Sequence, residues 1–341
     1  MPFPAGSIRR RFVVDLTVAA LLAAGTALPS VAAAQAPRQS AVSVVTIVDH
    51  PSLDALRDGL HDELNAAGYQ DGKNLKWTFQ SAQGNVATAA QIARKFVGDR
   101  PDVIVPITTP AAQAVASATR DIPLVYNAIT DPVGAQLVKS LEPSGTNITG
   151  VSDRLDADRQ VELIRKVVPD VKTVGIVYSP AEANSVTAVR DMKAALEKQG
   201  IALVEVAAPR SIDVGQAAKR LVGKVDVIYS GNDNNVISAY ESLIKVGNDA
   251  KIPLIAADRS SVQRGATAAL AIDYYAMGRQ TGRMVLRILK GEKPGDIASE
   301  TTDKLELTLN LEAAQRQGVA LSEQLQAEAK EVFGKPASQA K

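Results

Sequence analysis

The sequence predicts an α/β fold built twice over: two doubly wound lobes with parallel sheets, joined by a hinge. Three observations predict it. From Ala41 onward, short β-branched runs alternate with longer helical stretches, the pattern of successive βα units. The runs are apolar throughout, as strands covered on both faces are. The alternation also repeats in order: 43–69 runs against 173–201, 95–115 against 220–240, and 122–133 against 252–262. Pro123 and Pro253 fall in equivalent places. One such match is within the reach of chance, because βα units resemble each other; three in the same order indicate two similar domains.

Taken in order, SVVTIV, KWTFQ, DVIVPI and IPLVYNAI are the strands of the first lobe, and TVGIVY, LVEVAA, DVIYS and IPLIAAD those of the second. Between them, SLDALRDGLHDELNAAG and SVTAVRDMKAALEKQG place apolar residues three and four apart, with a glycine where each helix should end. SLEPSGTNITGVSD is rich in Gly, Ser, Thr and Asn and reads as the crossover between lobes. Beyond the second repeat, a strand and a helix from about Tyr275 are expected, then LELTLN as a strand and EQLQAEAKEVF as a terminal helix. Lobe one is expected over 41–148, with about 272–292 returning to it. Lobe two is expected over 149–271, with about 295–335 returning to it. GKPASQAK reads as a frayed tail.

The N-terminus differs from the rest. Arg9, Arg10 and Arg11 precede the apolar stretch FVVDLTVAALLAAGTALP, and SVAAAQA offers an A-x-A cleavage pattern after Ala34. Residues 1–34 therefore read as a signal peptide. A membrane anchor is the alternative, but the run is short and Asp15 interrupts it. The 341 residues contain no cysteine, which excludes disulfides, thiolate metal sites and the thiol a bacterial lipoprotein needs. The expected location is the periplasm, free of lipid. A net charge of +1 gives no electrostatic reason for a nucleic-acid partner. No cofactor or metal is expected, and a monomer is.

In open parallel sheets, ligands bind outside the carboxyl ends of the strands. Those ends bring His50 and Pro51, Thr108 and Thr109, and Asp131 from lobe one. Lobe two brings Glu182, Asn184 and Ser185, then Asp233 and Asn234, then Asp258. Capping or turn formation explains each of them singly. Together, the acids Asp131, Glu182, Asp233 and Asp258 face few bases beyond Arg259, which suits a ligand with an ammonium group. Helix starts at Thr109 and Ser185 suit a carboxylate. The ligand so described is an amino-acid-like zwitterion. Tyr126, Tyr178 and Tyr229 can wall it or serve as ordinary sheet residues.

The segments VDHPSLDALRDGL, ITTPAAQAV, IPLVYNAITDPVGAQLV, GTNITGVSD, VGIVYSPAEANSV, YSGNDNNV and IPLIAADRSSVQRGA resemble the family of ABC-importer substrate-binding proteins that includes tryptophan- and phenylalanine-binding members. The resemblance spans about Ala41 to Gly318. It implies two Rossmann-like lobes of the type I periplasmic-binding fold, a hinge of three crossovers, closure on a small ligand and docking onto a membrane permease. It implies ligand-binding roles for Thr108, Thr109, Asp131, Glu182, Asn184, Ser185, Asp233, Asn234 and Asp258, with His50 and Pro51 from the first strand tip. Members differ at Asp49–His50 and at Gly231. An aromatic amino acid as ligand is implied by this kinship alone.

Two other functions compete. A hydrolase would need Ser185 or Thr109 as nucleophile and a histidine as base. Only His50 and His61 exist, His61 sits mid-helix, and there is no G-x-S-x-G or H-E-x-x-H motif. A periplasmic sensor feeding a membrane receptor would use the same clamshell with a different docking surface.

Overall fold

The computed structural model describes residues 39–302 and 304–334; the expected signal peptide and the C-terminal tail lie outside the described residues. The chain begins with β1 (Ser40–Thr46), α1 (Pro51–Ala66), β2 (Leu75–Ser81), α2 (Val86–Asp99), β3 (Val103–Ile107), α3 (Thr109–Ala118), β4 (Leu124–Asn127) and β5 (Ile148–Ser152). It continues through α4 (Ala157–Val167), β6 (Thr173–Tyr178), α5 (Ala183–Lys198), β7 (Ala202–Ala207), α6 (Val214–Lys219) and β8 (Val227–Ser230). Then come α7 (Asn234–Ser238), α8 (Tyr240–Ala250), β9 (Leu254–Ala256), α9 (Arg259–Arg264), β10 (Ala268–Ile272) and α10 (Tyr274–Leu289). The last elements are β11 (Glu300–Thr301), β12 (Leu305–Asn310), α11 (Leu311–Arg316), α12 (Glu323–Glu328) and β13 (Glu331–Phe333).

These strands make two sheets. The first runs β11-β5-β4-β3-β1-β2 and is parallel throughout; the second runs β13-β12-β10-β9-β8-β6-β7. In the second, only the β10–β12 pair is antiparallel. The central strands are β-branched and buried along their whole length, as VIVPI in β3 and VIYS in β8 are, so each sheet must be covered on both faces. Val44, Val105 and Leu60 pack on one face of the first sheet, and Val45, Ile104 and Phe96 on the other. The second sheet is covered in the same way, with Val174 and Leu196 on one side and Ile228 and Leu243 on the other.

Three particulars depart from the sequence reading. NITGVS is a strand of the first sheet, paired with β4, so the chain leaves that sheet after Ser152 and not at the expected 148/149 boundary. The glycine at its centre explains the fit: a Cβ on Gly150, at φ +157°, would strike the Tyr126 backbone oxygen. NNVISAYESLIKVGNDA is two helices, broken at Ala239, with Arg264 Nη1 donating to the Ile237 carbonyl at 3.0 Å. The expected terminal helix stops at Glu328, and Glu331–Phe333 adds an edge strand parallel to β12.

α10 returns to the first sheet and lies directly on α1. Gly59 meets the Tyr275 carbonyl, Gly278 the Leu56 carbonyl, and Gly282 the Glu63 side chain; a Cβ at any of these would overlap its neighbour. The chain thus passes between the sheets after β5, after β10 and after β11. Among the described residues no helix is long and apolar enough to cross a membrane.

Candidate ligand-binding cleft

The carboxyl ends of the two sheets face each other across a narrow, largely enclosed cavity. Lobe one contributes its β1 tip (Val48, His50, Ser52, Leu53), its β3 tip (Thr108, Thr109) and its β4 tip (Ala128, Thr130). Lobe two contributes Asn184, Asn232, Asn234, Ile237 and Asp258. Asp153 and Tyr274, which follow β5 and β10 where the chain passes between sheets, close the back.

One end of the cavity is built to receive an anion. Thr108 and Thr109 are buried, and neither Oγ1 has a hydrogen-bond partner. They open α3, whose first N–H groups have no intrahelical acceptor and whose N-terminus carries partial positive charge. Thr108 takes φ 77°, ψ 154°, a conformation costly for a side chain with a branched Cβ. Its N–H donates to the Asn127 carbonyl at 3.0 Å, which ties the β3 tip to β4.

Another part of the lining is acidic. Asp153 is 2% exposed; Thr130 Oγ1 donates to its Oδ1 at 3.0 Å, and Tyr274 OH (2.9 Å) and Asn232 Nδ2 (3.2 Å) donate to its Oδ2. All three donors are neutral, and no lysine or arginine pairs with the carboxylate among the described residues. Burial pushes its pKa up, against the three hydrogen bonds. Beside it, the Oδ1 atoms of Asn184 and Asn232 accept no hydrogen bond. A carboxylate and two amide oxygens on one wall therefore lack a cationic donor.

Of the residues expected at the site, His50, Thr108, Thr109, Asn184, Asn234 and Asp258 line this cavity. The other five do not. Pro51 starts α1 and faces a separate pocket behind it. Asp233 is spent inside lobe two: it caps α7 through the Val236 N–H at 2.9 Å, and accepts from Ser179 N at 2.6 Å and Ser185 Oγ at 2.5 Å. That bond also turns Ser185 away. Glu182 accepts from Asn234 Nδ2 at 2.6 Å and faces the wider outer groove. Burial first, then the charge of Asp233, raise its pKa; burial raises that of Asp233. Asp131 bridges the lobes at the rim, accepting from Thr187 Oγ1 at 3.2 Å with Arg190 at 3.7 Å. Burial alone would raise its pKa, but the Gly134 N–H, Thr187, Arg154 and Arg190 hold it below the usual range.

The tyrosines are also redistributed. Tyr126 is core, Tyr229 and Tyr178 do not line the cavity, and Tyr274 does. Arg259 pairs with Glu331, away from the cavity. Asp153 and Tyr274 are the functional candidates that sequence reasoning missed. Asp153 lay inside GTNITGVSD, and recognising that stretch as a strand would have placed it at a strand tip.

The model of the ABC transporter substrate binding protein family matches residues 41–333, and the chain belongs to that family. Such proteins bind a small ligand for an ABC permease, in the periplasm or outside the cell. The chain is 41% identical over 273 residues to a tyrosine-binding protein of Clostridioides difficile, covering 80% of this chain and 79% of that one. A solved ABC domain in complex with L-Trp from Streptococcus pneumonia superposes with a TM-score of 0.84 at 36% identity, over 86% of this chain and all of that one. The ligand-free, open structure of a substrate binding protein with adhesive properties from Clostridium difficile gives 0.67 at 38% identity, over 87% and 100%. At nearly equal identity, the present conformation is nearer the ligand-bound relative than the open one. The architecture is the type I periplasmic-binding fold.

Proposed function

We propose that this protein is the periplasmic receptor of an amino-acid importer, closing on an aromatic L-α-amino acid. The observation that carries the reading is the make-up of the cavity: unpartnered hydroxyls at a helix N-terminus share one lining with Asp153 and two unpartnered amide oxygens. In this reading Thr108, Thr109 and the α3 N–H groups take the ligand carboxylate. Asp153, Asn184 and Asn232 take its ammonium, and Leu53, Val48, Ile237 and Tyr274 take the side chain. Relatives that carry tyrosine or tryptophan in their names support the aromatic class. His50, Asn234 and Asp258 complete the wall, while Asp131, Glu182, Ser185 and Asp233 shape the loops that hold it.

The ligand bridges the lobes, so its differential affinity for the closed form drives closure. No chemistry is expected to follow: Asp153 is a hydrogen-bonded counter-ion, the Thr109 hydroxyl has no partner, and Ser185 is held by Asp233 inside lobe two with no histidine bonded to either. The chain acts as a monomer after its signal peptide is removed, hands ligand to a permease and does not engage nucleic acid. Titration calorimetry of L-tyrosine, L-tryptophan and L-phenylalanine, with myo-inositol as control, tests this. At least one amino acid should bind in the micromolar range or tighter and the polyol should not; binding of the polyol alone would overturn the reading.

A further inference from the structure

Where the β1 tip of lobe one meets the β9 tip of lobe two, His50, Ser52, Asp258 and Ser260 form one buried hydrogen-bonded cluster. Its side-chain protons can be counted. The imidazole Nδ1 accepts from the Ser52 N–H at 3.3 Å, so the neutral ring carries its proton on Nε2. That atom lies 3.2 Å from Ser260 Oγ. Ser260 Oγ is 2.6 Å from Asp258 Oδ1, and this short bond to a carboxylate takes its only proton. Ser52 Oγ lies 2.7 Å from Ser260 Oγ and 3.1 Å from Asp258 Oδ1, so its proton also stays inside the cluster. Ser261 gives Asp258 both its N–H and its hydroxyl. Every side-chain proton of the cluster is thus directed inward. None is left to donate to Ser52 Oγ, whose acceptor positions are open.

His50, Ser52 and Asp258 line the ligand cavity, whereas Ser260 lines the pocket behind it, which Ser52 also borders. The first sheet runs β5-β4-β3-β1. The tip bearing Asp153 and the tip bearing Ser52 are therefore three strand spacings apart, roughly 14 Å at the usual inter-strand distance. Val48 and Leu53, on the same loop and helix start as Ser52, belong to the cavity lining as well. With a ligand ammonium at Asp153 and its carboxylate at the start of α3, the β1 side is left for the ligand side chain. There it meets apolar walls and a hydroxyl oxygen that can accept a hydrogen bond and has no proton free to give one.

We propose that Ser52 determines specificity by accepting a hydrogen bond from the tip of the ligand side chain, so that the protein selects aromatic amino acids ending in a proton donor, a phenol O–H or an indole N–H, over phenylalanine. This rests on the amino-acid reading of the cleft and adds the side chain to it. The ligand supplies Ser52 Oγ with the proton that its own cluster cannot give. A bare phenyl ring displaces water from that oxygen and leaves a buried acceptor unpaired, which a site of this kind rejects. Ser52 also bonds across the interface to Asp258 and Ser260, so the residue that reads the side chain is one of those that join the closed lobes.

The test is calorimetry of L-tyrosine, L-tryptophan, L-phenylalanine and 4-fluoro-L-phenylalanine, the last having nearly the outline of tyrosine without its proton. In the wild-type chain, L-tyrosine or L-tryptophan should bind at least about tenfold more tightly than either ligand that lacks a donor. Ser52→Ala should bring that ratio to within about threefold, mainly by weakening the donor-bearing ligand. The ratio is the readout, because loss of an interlobe bond alone weakens every ligand alike. Ser260→Ala, which removes an interlobe bond from outside the cavity, should keep the ratio. A wild-type chain that binds L-phenylalanine or its fluoro analogue as tightly as both donor-bearing ligands would overturn the inference and leave the amino-acid reading standing. So would a ratio that survives Ser52→Ala, or one that Ser260→Ala abolishes equally. Binding of none of the four would remove the amino-acid reading and this inference together.

Discussion

At Asp153 a carboxylate is enclosed by three neutral donors, an arrangement that leaves its charge without a counter-charge in a site of low dielectric. A ligand ammonium supplies one. Asp153→Asn keeps the shape and an acceptor but removes the charge, so L-tyrosine affinity should fall about 100-fold, roughly 3 kcal/mol, in calorimetry. Asp233→Ala should do the opposite of what its position in the sequence suggests. It uncaps α7 and strands the Ser179 N–H and Ser185 hydroxyl, so melting temperature should drop by several degrees. Glu182→Gln has a pH signature. A carboxyl whose folded pKa is raised destabilises the fold as pH climbs from the unfolded value near 4 through the folded one. The variant should therefore melt higher than wild type at pH 8 and no higher at pH 4. Residue types at the strand tips were legible in the sequence, but their orientation was not. Asp233 and Asp153 are both tip aspartates, and only the loop geometry turns one into its own lobe and the other toward the cavity.

At the scale of elements, the repeat carried most of the fold, because equal spacing of strands, helices and prolines constrains both lobes at once. What it could not place were the pieces without a counterpart. β5 looks like a linker by composition, and becomes a strand because β4 offers it an unpaired edge and Gly150 allows the approach. The α7–α8 break leaves no proline or glycine at Ala239; its trace is in the tertiary bond from Arg264 to the Ile237 carbonyl, and it brings Ile237 into the cavity. The α1–α10 crossing rests on Gly59, Gly278 and Gly282, which let two backbones touch. Gly278→Leu has no room for even a Cβ beside the Leu56 carbonyl. It should destabilise the chain by several kcal/mol in chemical denaturation, while a leucine at Gly98, whose Cβ meets nothing within 4 Å, should change little.

Across the whole molecule, closure gathers the site. The lobes meet through Ser52 with Asp258 and Ser260, through Thr187 and Arg190 with Asp131, and through Asn232 with Asp153. The cleft was foreseeable from two sheets facing each other, but these pairings are not, since each joins residues far apart in sequence whose contact depends on the closing angle. Ser52 and Ser260 oxygens 2.7 Å apart, in a chain with no cysteine, offer a direct reporter. Ser52→Cys with Ser260→Cys should form a disulfide that joins the lobes, and ligand should speed its formation. Unmodified protein should contract in small-angle scattering when L-tyrosine is added. The most direct test of the central claim is calorimetry of L-tyrosine beside two analogues, 3-(4-hydroxyphenyl)propionate without the ammonium and tyramine without the carboxylate. A cavity that reads both charges predicts that each analogue binds at least about 100-fold more weakly than L-tyrosine; either analogue binding as tightly as the amino acid would contradict it.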